Sequence, residues 1–115
     1  MLDKQLTEMI FAIDYDGTYS ERPQEISDFI ECLLLNGDAA IIATGRTGEK
    51  DPPPNIRGDK MITKNGDLVP IVYCGDRLKR VACLEAGYEV SIWMDDMPGT
   101  IELQRILSDT EESSL

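Results

Sequence analysis

Histidine is absent from this chain of 115 residues, which removes histidine general bases, nucleophile–histidine triads and the common zinc-ligand sets. Acid–base chemistry is left to carboxylates, lysine and tyrosine. Cysteine is sparse: Cys32, Cys74 and Cys83 lie far apart and include no C-x-x-C pair. Neither a disulfide framework nor a cysteine metal cluster is indicated, and reduced thiols in a cytoplasmic protein are expected. Positive charge is scarce, with 11 Lys and Arg against 22 Asp and Glu and a formal net charge of -11. Binding along nucleic acid depends on cationic side chains that displace counterions, so this balance opposes a nucleic-acid partner. A small anionic ligand stays open where a metal neutralises it locally. No apolar run approaches the roughly 20 residues of a membrane span. The start, Met1-Leu2-Asp3-Lys4-Gln5, has no basic segment followed by an apolar stretch. The expectation is a soluble, unexported protein with no membrane partner.

What is present is 42% apolar content, enough for one compact domain with a modest core and too little chain for a second. A single domain over 1–115 is expected, with its core over about 8–108 and an acidic, serine-rich tail from Asp109 to Leu115 that frays. Phe11 to Asp14 reads as the first buried strand. Ile26, Phe29, Ile30, Leu33 and Leu34 follow at helical spacing, with Pro23 in the first turn and Asn36-Gly37 closing the helix. Ala39 to Ala43 is a second buried strand, stopped by Thr44-Gly45-Arg46, which makes a β-α-β unit with a right-handed crossover. The polar stretch from Thr47 to Lys60, with prolines at Pro52 to Pro54, reads as a surface loop. Met61-Ile62-Thr63 and Leu68 to Tyr73 flank Asn65-Gly66 as a hairpin whose second arm doubles as a main strand. Asp76 caps a helix carrying Leu78, Val81, Ala82 and Leu84 that Gly87 ends; Tyr88 to Met94 is a further strand, and Pro98 to Leu107 a closing helix. The fold class is therefore α/β, with a central, mostly parallel sheet and helices on both faces.

The stretch Phe11-Ala12-Ile13-Asp14-Tyr15-Asp16-Gly17-Thr18 carries the most chemistry. An apolar run ending in Asp-x-Asp-Gly-Thr delivers two carboxylates to the C-terminal edge of a buried parallel sheet, where open α/β folds bind ligands. Three strand ends offer Asp14 with Asp16, Thr44, and Asp95 with Asp96, and a doubly wound sheet brings them to one crevice. A divalent metal that prefers oxygen ligands, typically Mg²⁺, sits between the first and last carboxylate pairs. Thr44 and the backbone N–H groups beside it, Gly45 included, face phosphate oxygens. Lys79, near the start of its helix, supplies the positive charge that stabilises a transition state. Lys60, Lys64 and Arg80 compete with it, and the choice of Lys79 rests on its distance upstream of Asp95. Arg46 reads as a solvated loop residue, Trp93 as packing, and Met61, Met94 and Met97 as gap fillers.

These motifs, over roughly Phe11 to Ile101, resemble the haloacid dehalogenase-like hydrolases, most of whose members are aspartate-nucleophile phosphatases. The resemblance implies a three-layer α/β/α Rossmann-like fold and a Mg²⁺-dependent phosphomonoester hydrolase acting on a small phosphorylated substrate. It implies that Asp14 is the nucleophile that forms an aspartyl-phosphate, and that Asp16 protonates the leaving group and then activates water. Thr44 in Ile41-Ile42-Ala43-Thr44-Gly45-Arg46 is similar to the family's phosphate-binding residue, and Lys79 in Asp76-Arg77-Leu78-Lys79-Arg80 to its lysine motif. Asp95-Asp96 is similar to its acidic metal motif, with Asp96 the more direct ligand; Asp14, Asp16, Asp95 and Asp96 together form the implied metal set.

The chain departs from that pattern where only Tyr19-Ser20-Glu21-Arg22 separates Thr18 from Pro23. That spacing leaves no room for the family's helical turn and hairpin flap, or for a cap domain, so the closest likeness is to small capless members. The stretch from Thr47 to about Leu68 is left to cover the site partly. Two other readings compete: a phosphate-binding or regulatory module of the same fold with little turnover, and a receiver-like domain. The second puts its phosphoacceptor after the third strand, where this chain has Tyr73-Cys74-Gly75.

Overall fold

Apolar runs of strand length alternate with amphipathic helices, and in the computed structural model, which describes residues 8–102, they build a mixed α/β fold around one six-stranded, mostly parallel sheet. The elements are β1 (Ile10–Ile13), α1 (Pro23–Leu35), β2 (Ala39–Thr44), β3 (Ile56–Arg57), β4 (Lys60–Ile62), β5 (Leu68–Tyr73), α2 (Lys79–Glu85) and β6 (Ile92–Met94). Across the sheet they run β3-β4-β5-β2-β1-β6. β1 pairs in parallel with β2 and β6, and β2 in parallel with β5, while β4 lies antiparallel to both β5 and β3.

β2 is buried from Ala40 to Thr44, as a central parallel strand covered on both sides requires. Its alternate residues sort into two cores. Ile42, with Ile13 of β1, packs among Ile30 and Leu33 of α1 and Met61 and Val69 of the hairpin. Ile41 and Ala43, with Ala12, pack among Ala82 and Cys83 of α2. Pro23 opens α1, and the chain leaves that helix through Gly37 at φ 91°, a conformation that costs glycine least. The hairpin at Asn65-Gly66 forms as read, with Ile62 opposite Leu68, and β5 serves both it and the parallel sheet.

The structure revises several boundaries. Between Asp14 and Pro23 there is room for a wide helical turn after all: the N–H groups of Tyr19 and Ser20 donate to the carbonyls of Asp14 and Tyr15, five residues back, at 3.2 and 2.9 Å. Gly17, at φ 83°, lets the chain double back there. α2 starts at Lys79 with Leu78 at its cap position and no side-chain cap, so Asp76 does not cap it. The strand read from Tyr88 shrinks to Ile92–Met94, because the Tyr88 N–H closes α2 by donating to the Cys83 carbonyl and β1 offers partners only from Phe11 to Ile13. Within the expected loop, Ile56–Arg57 adds a short edge strand, exposed on both residues. Pro98–Thr100 makes one 3₁₀ turn; the rest of the expected closing helix beyond 102, and the Asp109–Leu115 tail, lie outside the described residues. Among the described residues, no helix is long and apolar enough to cross a membrane.

Candidate active site

Register builds the site. Ile13 pairs with Met94 on one side and Ile42 on the other, so β1 and β6 end level and place Asp14 beside Asp95. The Asp14 N–H donates to the Met94 carbonyl at 2.9 Å, and the Cys74 N–H to the Thr44 carbonyl at 2.8 Å, which ties the neighbouring strand ends together. Carboxylate oxygens of Asp14, Asp95 and Asp96 lie within 4.8 Å of one another. Lys79, the first residue of α2, reaches into this group: its Nζ donates to Asp14 Oδ1 at 2.8 Å and to Asp95 Oδ2 at 2.6 Å, with all three side chains buried. A cation at a helix N-terminus opposes the helix dipole, so the two carboxylates stabilise the lysine there.

Asp96 is the exposed member of the group and sits against the backbone turn after β1. A Cβ on Gly17 would lie 2.1 Å from Asp96 Oδ2, so glycine at 17 suits the positive φ and lets the Asp96 carboxylate sit where it does. Burial pushes the Asp14 carboxyl up to about 6, with Lys79 pulling down and Asp95 and Asp96 pushing up. Burial also works against the Lys79 charge, but its bonds to Asp14 and Asp95 outweigh this and raise its pKa. Hydrogen bonding to Arg46 holds Asp16 below the usual carboxylate range.

Asp14, Asp16, Gly45, Lys79, Asp95 and Asp96 line one open pocket of about 200 Å³. Six of the seven residues that the sequence singles out thus line it; Thr44 does not, because its side chain is fully buried and its Oγ1 accepts the Arg46 N–H at 3.1 Å. Asp16 departs from the expected metal set. Its carboxylate is outside the close acidic group and is held by Arg46 at 2.7 and 2.8 Å. Arg46 is therefore not a solvated loop residue. Of the competing cations, Lys60 pairs with Asp59, Arg80 pairs with Glu102 and lies over the Trp93 ring, and Lys64 lines a different pocket beside Tyr15 and Tyr19. Met61 is core, as read, whereas Met97 is exposed on the pocket wall rather than filling a gap. Sequence reading missed the pocket roles of Arg77, Thr100 and Gly75. Arg77 bonds Glu85 at the rim, and only its place two residues before Lys79 hinted at it.

The donor set suits a hard divalent cation. It is all oxygen, it carries more negative charge than Lys79 balances, and the exposure of Asp96 leaves a side for water or phosphate. Searches against family models, curated proteins and solved structures returned no match for this chain.

Proposed function

We propose that the chain is a phosphomonoester hydrolase that works through Asp14, on a three-layer, capless fold of the haloacid dehalogenase type with Mg²⁺ as cofactor. The observation that carries this reading is the Lys79 ammonium bridging Asp14 and Asp95 inside a three-carboxylate group at the sheet edge. A structural ion pair would need one carboxylate, and a third beside it raises the cost of the assembly unless a cation or a phosphoryl group uses it.

Asp14, Asp95 and Asp96 would hold the Mg²⁺, which when bound supplies charge to phosphoryl oxygens. Asp14 attacks phosphorus and the bond to the leaving oxygen breaks; because Asp16 is held ionised by Arg46, that oxygen departs as an anion and takes its proton from solvent. Water then attacks the same phosphorus and gives a proton to Asp16, the bond to Asp14 breaks, and inorganic phosphate leaves. Lys79 keeps the Asp14 carboxylate available and offsets charge that develops beside it. Phosphate oxygens would meet the Gly45 backbone on the pocket wall. Paired with Arg46, Asp16 is ionised and ready for the second half of this sequence, which favours substrates whose leaving group departs easily.

The pocket's modest size and the engagement of Lys60 and Arg80 elsewhere support a small phosphorylated metabolite over a nucleic-acid end. Three free cysteines accord with a cytoplasmic location. The test is phosphate release from para-nitrophenyl phosphate, sugar phosphates, nucleotides and phosphoamino acids, with and without Mg²⁺. Mg²⁺-dependent release that Asp14→Asn abolishes, in a variant that still unfolds cooperatively, is the expected result. Release by folded Asp14→Asn overturns the mechanism, and Mg²⁺ and phosphate binding with no release by the wild type establishes the non-catalytic module instead.

A further inference from the structure

Behind the pocket wall, bonded to Asp16, Arg46 has the most heavily engaged side chain near the site, and the proposed reaction leaves it without a role of its own. Its Nε and Nη2 donate to Oδ2 and Oδ1 of Asp16 at 2.8 and 2.7 Å. Its Nη1 donates to the carbonyls of Asp51 and Pro52 at 3.2 and 3.1 Å. The guanidinium carbon lies 5.1 Å from the centre of the Tyr15 ring, which is itself buried in the core. A planar guanidinium bonded along two edges and stacked on a fixed ring has one orientation, and a bidentate partner inherits it.

Asp16 needs such a partner. It stands in extended backbone just before Gly17, its side chain is 57% exposed, and among the described residues only Arg46 hydrogen-bonds its carboxylate. The acceptors on the far side of Arg46 are also prearranged: Asp51 folds its own loop by accepting from the N–H and Oγ1 of Thr47 at 3.2 and 3.1 Å, and Pro53 is buried. The chain that follows β2 is thereby bonded, through one guanidinium, to the carboxylate two residues after Asp14.

We propose that Arg46 is the positioning residue for Asp16, holding its carboxylate on the pocket wall and making the 47–53 segment part of the catalytic assembly. This rests on the hydrolase reading for its consequence in turnover, and on the hydrogen-bond geometry alone for the coupling between Asp16 and the segment. Lysine cannot replace Arg46, because a single ammonium does not fix the plane of a carboxylate while also serving two carbonyls.

The experiment is a double-mutant cycle on para-nitrophenyl phosphate turnover with Arg46→Lys, Arg46→Ala, Asp16→Asn and the Arg46→Ala/Asp16→Asn pair, each checked for its melting temperature. Hydrogen exchange over residues 47–53 is measured in parallel on Arg46→Ala and Asp16→Ala. The expected result is a fall in kcat of roughly tenfold or more for both Arg46 variants, with KM changed by less than about twofold. No further loss is expected when Arg46→Ala is added to Asp16→Asn, and exchange in the segment should rise in Asp16→Ala as it does in Arg46→Ala. Additive losses, a rise in KM with kcat kept, or full rescue by lysine overturn the proposal while leaving the hydrolase reading standing. A wild type inactive on every phosphoester overturns that reading instead. Exchange then decides the coupling by itself: an equal rise in the two variants sustains it, and unchanged exchange in Asp16→Ala overturns it.

Discussion

Asp14 titrates unlike an ordinary aspartate, because its carboxylate is buried with Lys79 on one side and two further carboxylates on the other. Its pKa rises from 3.8 to about 6, so the folded protein holds this proton more tightly than the unfolded chain does. The group's contribution to stability is therefore full below about pH 4 and is lost as pH rises through about 6. In metal-free protein the wild type should lose stability relative to Asp14→Asn between about pH 4 and pH 7, by at most about 3 kcal/mol. Urea denaturation of the two proteins across that interval checks it, and a difference that stays flat would mean that Asp14 carries no such strain. Mg²⁺ should abolish the trend, since a cation among the carboxylates favours the ionised form. The identity of these residues was readable in the sequence, because Asp-x-Asp after an apolar run and Asp-Asp after a later one are local patterns. The partner of Asp16 was not: 30 positions separate it from Arg46, and only the fold brings them together.

Two chain segments meet where the turn after β1 passes under Asp96, and the fit between them is tested by Gly17→Ala. The added methyl would meet the Asp96 carboxylate and would sit at φ 83°, so the substitution should cost about 1 kcal/mol or more of stability. Millimolar Mg²⁺ should raise the melting temperature of the wild type, and both Gly17→Ala and Asp96→Ala should lose most of that rise. A full Mg²⁺ shift in Gly17→Ala would place the metal away from Asp96. β1, α1 and β2 were legible because each has an apolar pattern long enough to fix its own period, and Pro23 and Gly37 mark the ends of the helix. β6 was legible only in part, since Tyr88 to Ser91 look strand-like but spend their hydrogen bonds on closing α2 and reaching Ile10. β3 left no signal because a two-residue edge strand with both side chains exposed has no burial pattern to read. The wide turn after Asp14 escaped notice for a similar reason: i-to-i+5 bonding does not impose the apolar periodicity of an α-helix.

The molecule as a whole concentrates negative charge, with a net -11, and still places acidic groups together where a phosphate would have to arrive. Such a crevice admits an anion only through local cations, and among the described residues Lys79 and Arg77 line the pocket, while Arg46 is bonded to its wall residue Asp16. On the proposed hydrolase reading, an open pocket of this kind should discriminate weakly among small phosphoesters with a readily expelled leaving group. The sheet order was legible as a class, since β-α-β units imply parallel pairing, but the placement of β5 between β4 and β2 depends on long-range register that no local pattern encodes. All of this converges on one covalent bond. Wild type and Asp16→Asn, mixed with para-nitrophenyl phosphate and Mg²⁺ and quenched in acid, should each yield by mass spectrometry a phosphoryl group on the peptide carrying Asp14, with more of it in Asp16→Asn. Phosphate released by the wild type with no phosphoryl group on Asp14 in either protein would contradict the nucleophile assignment outright.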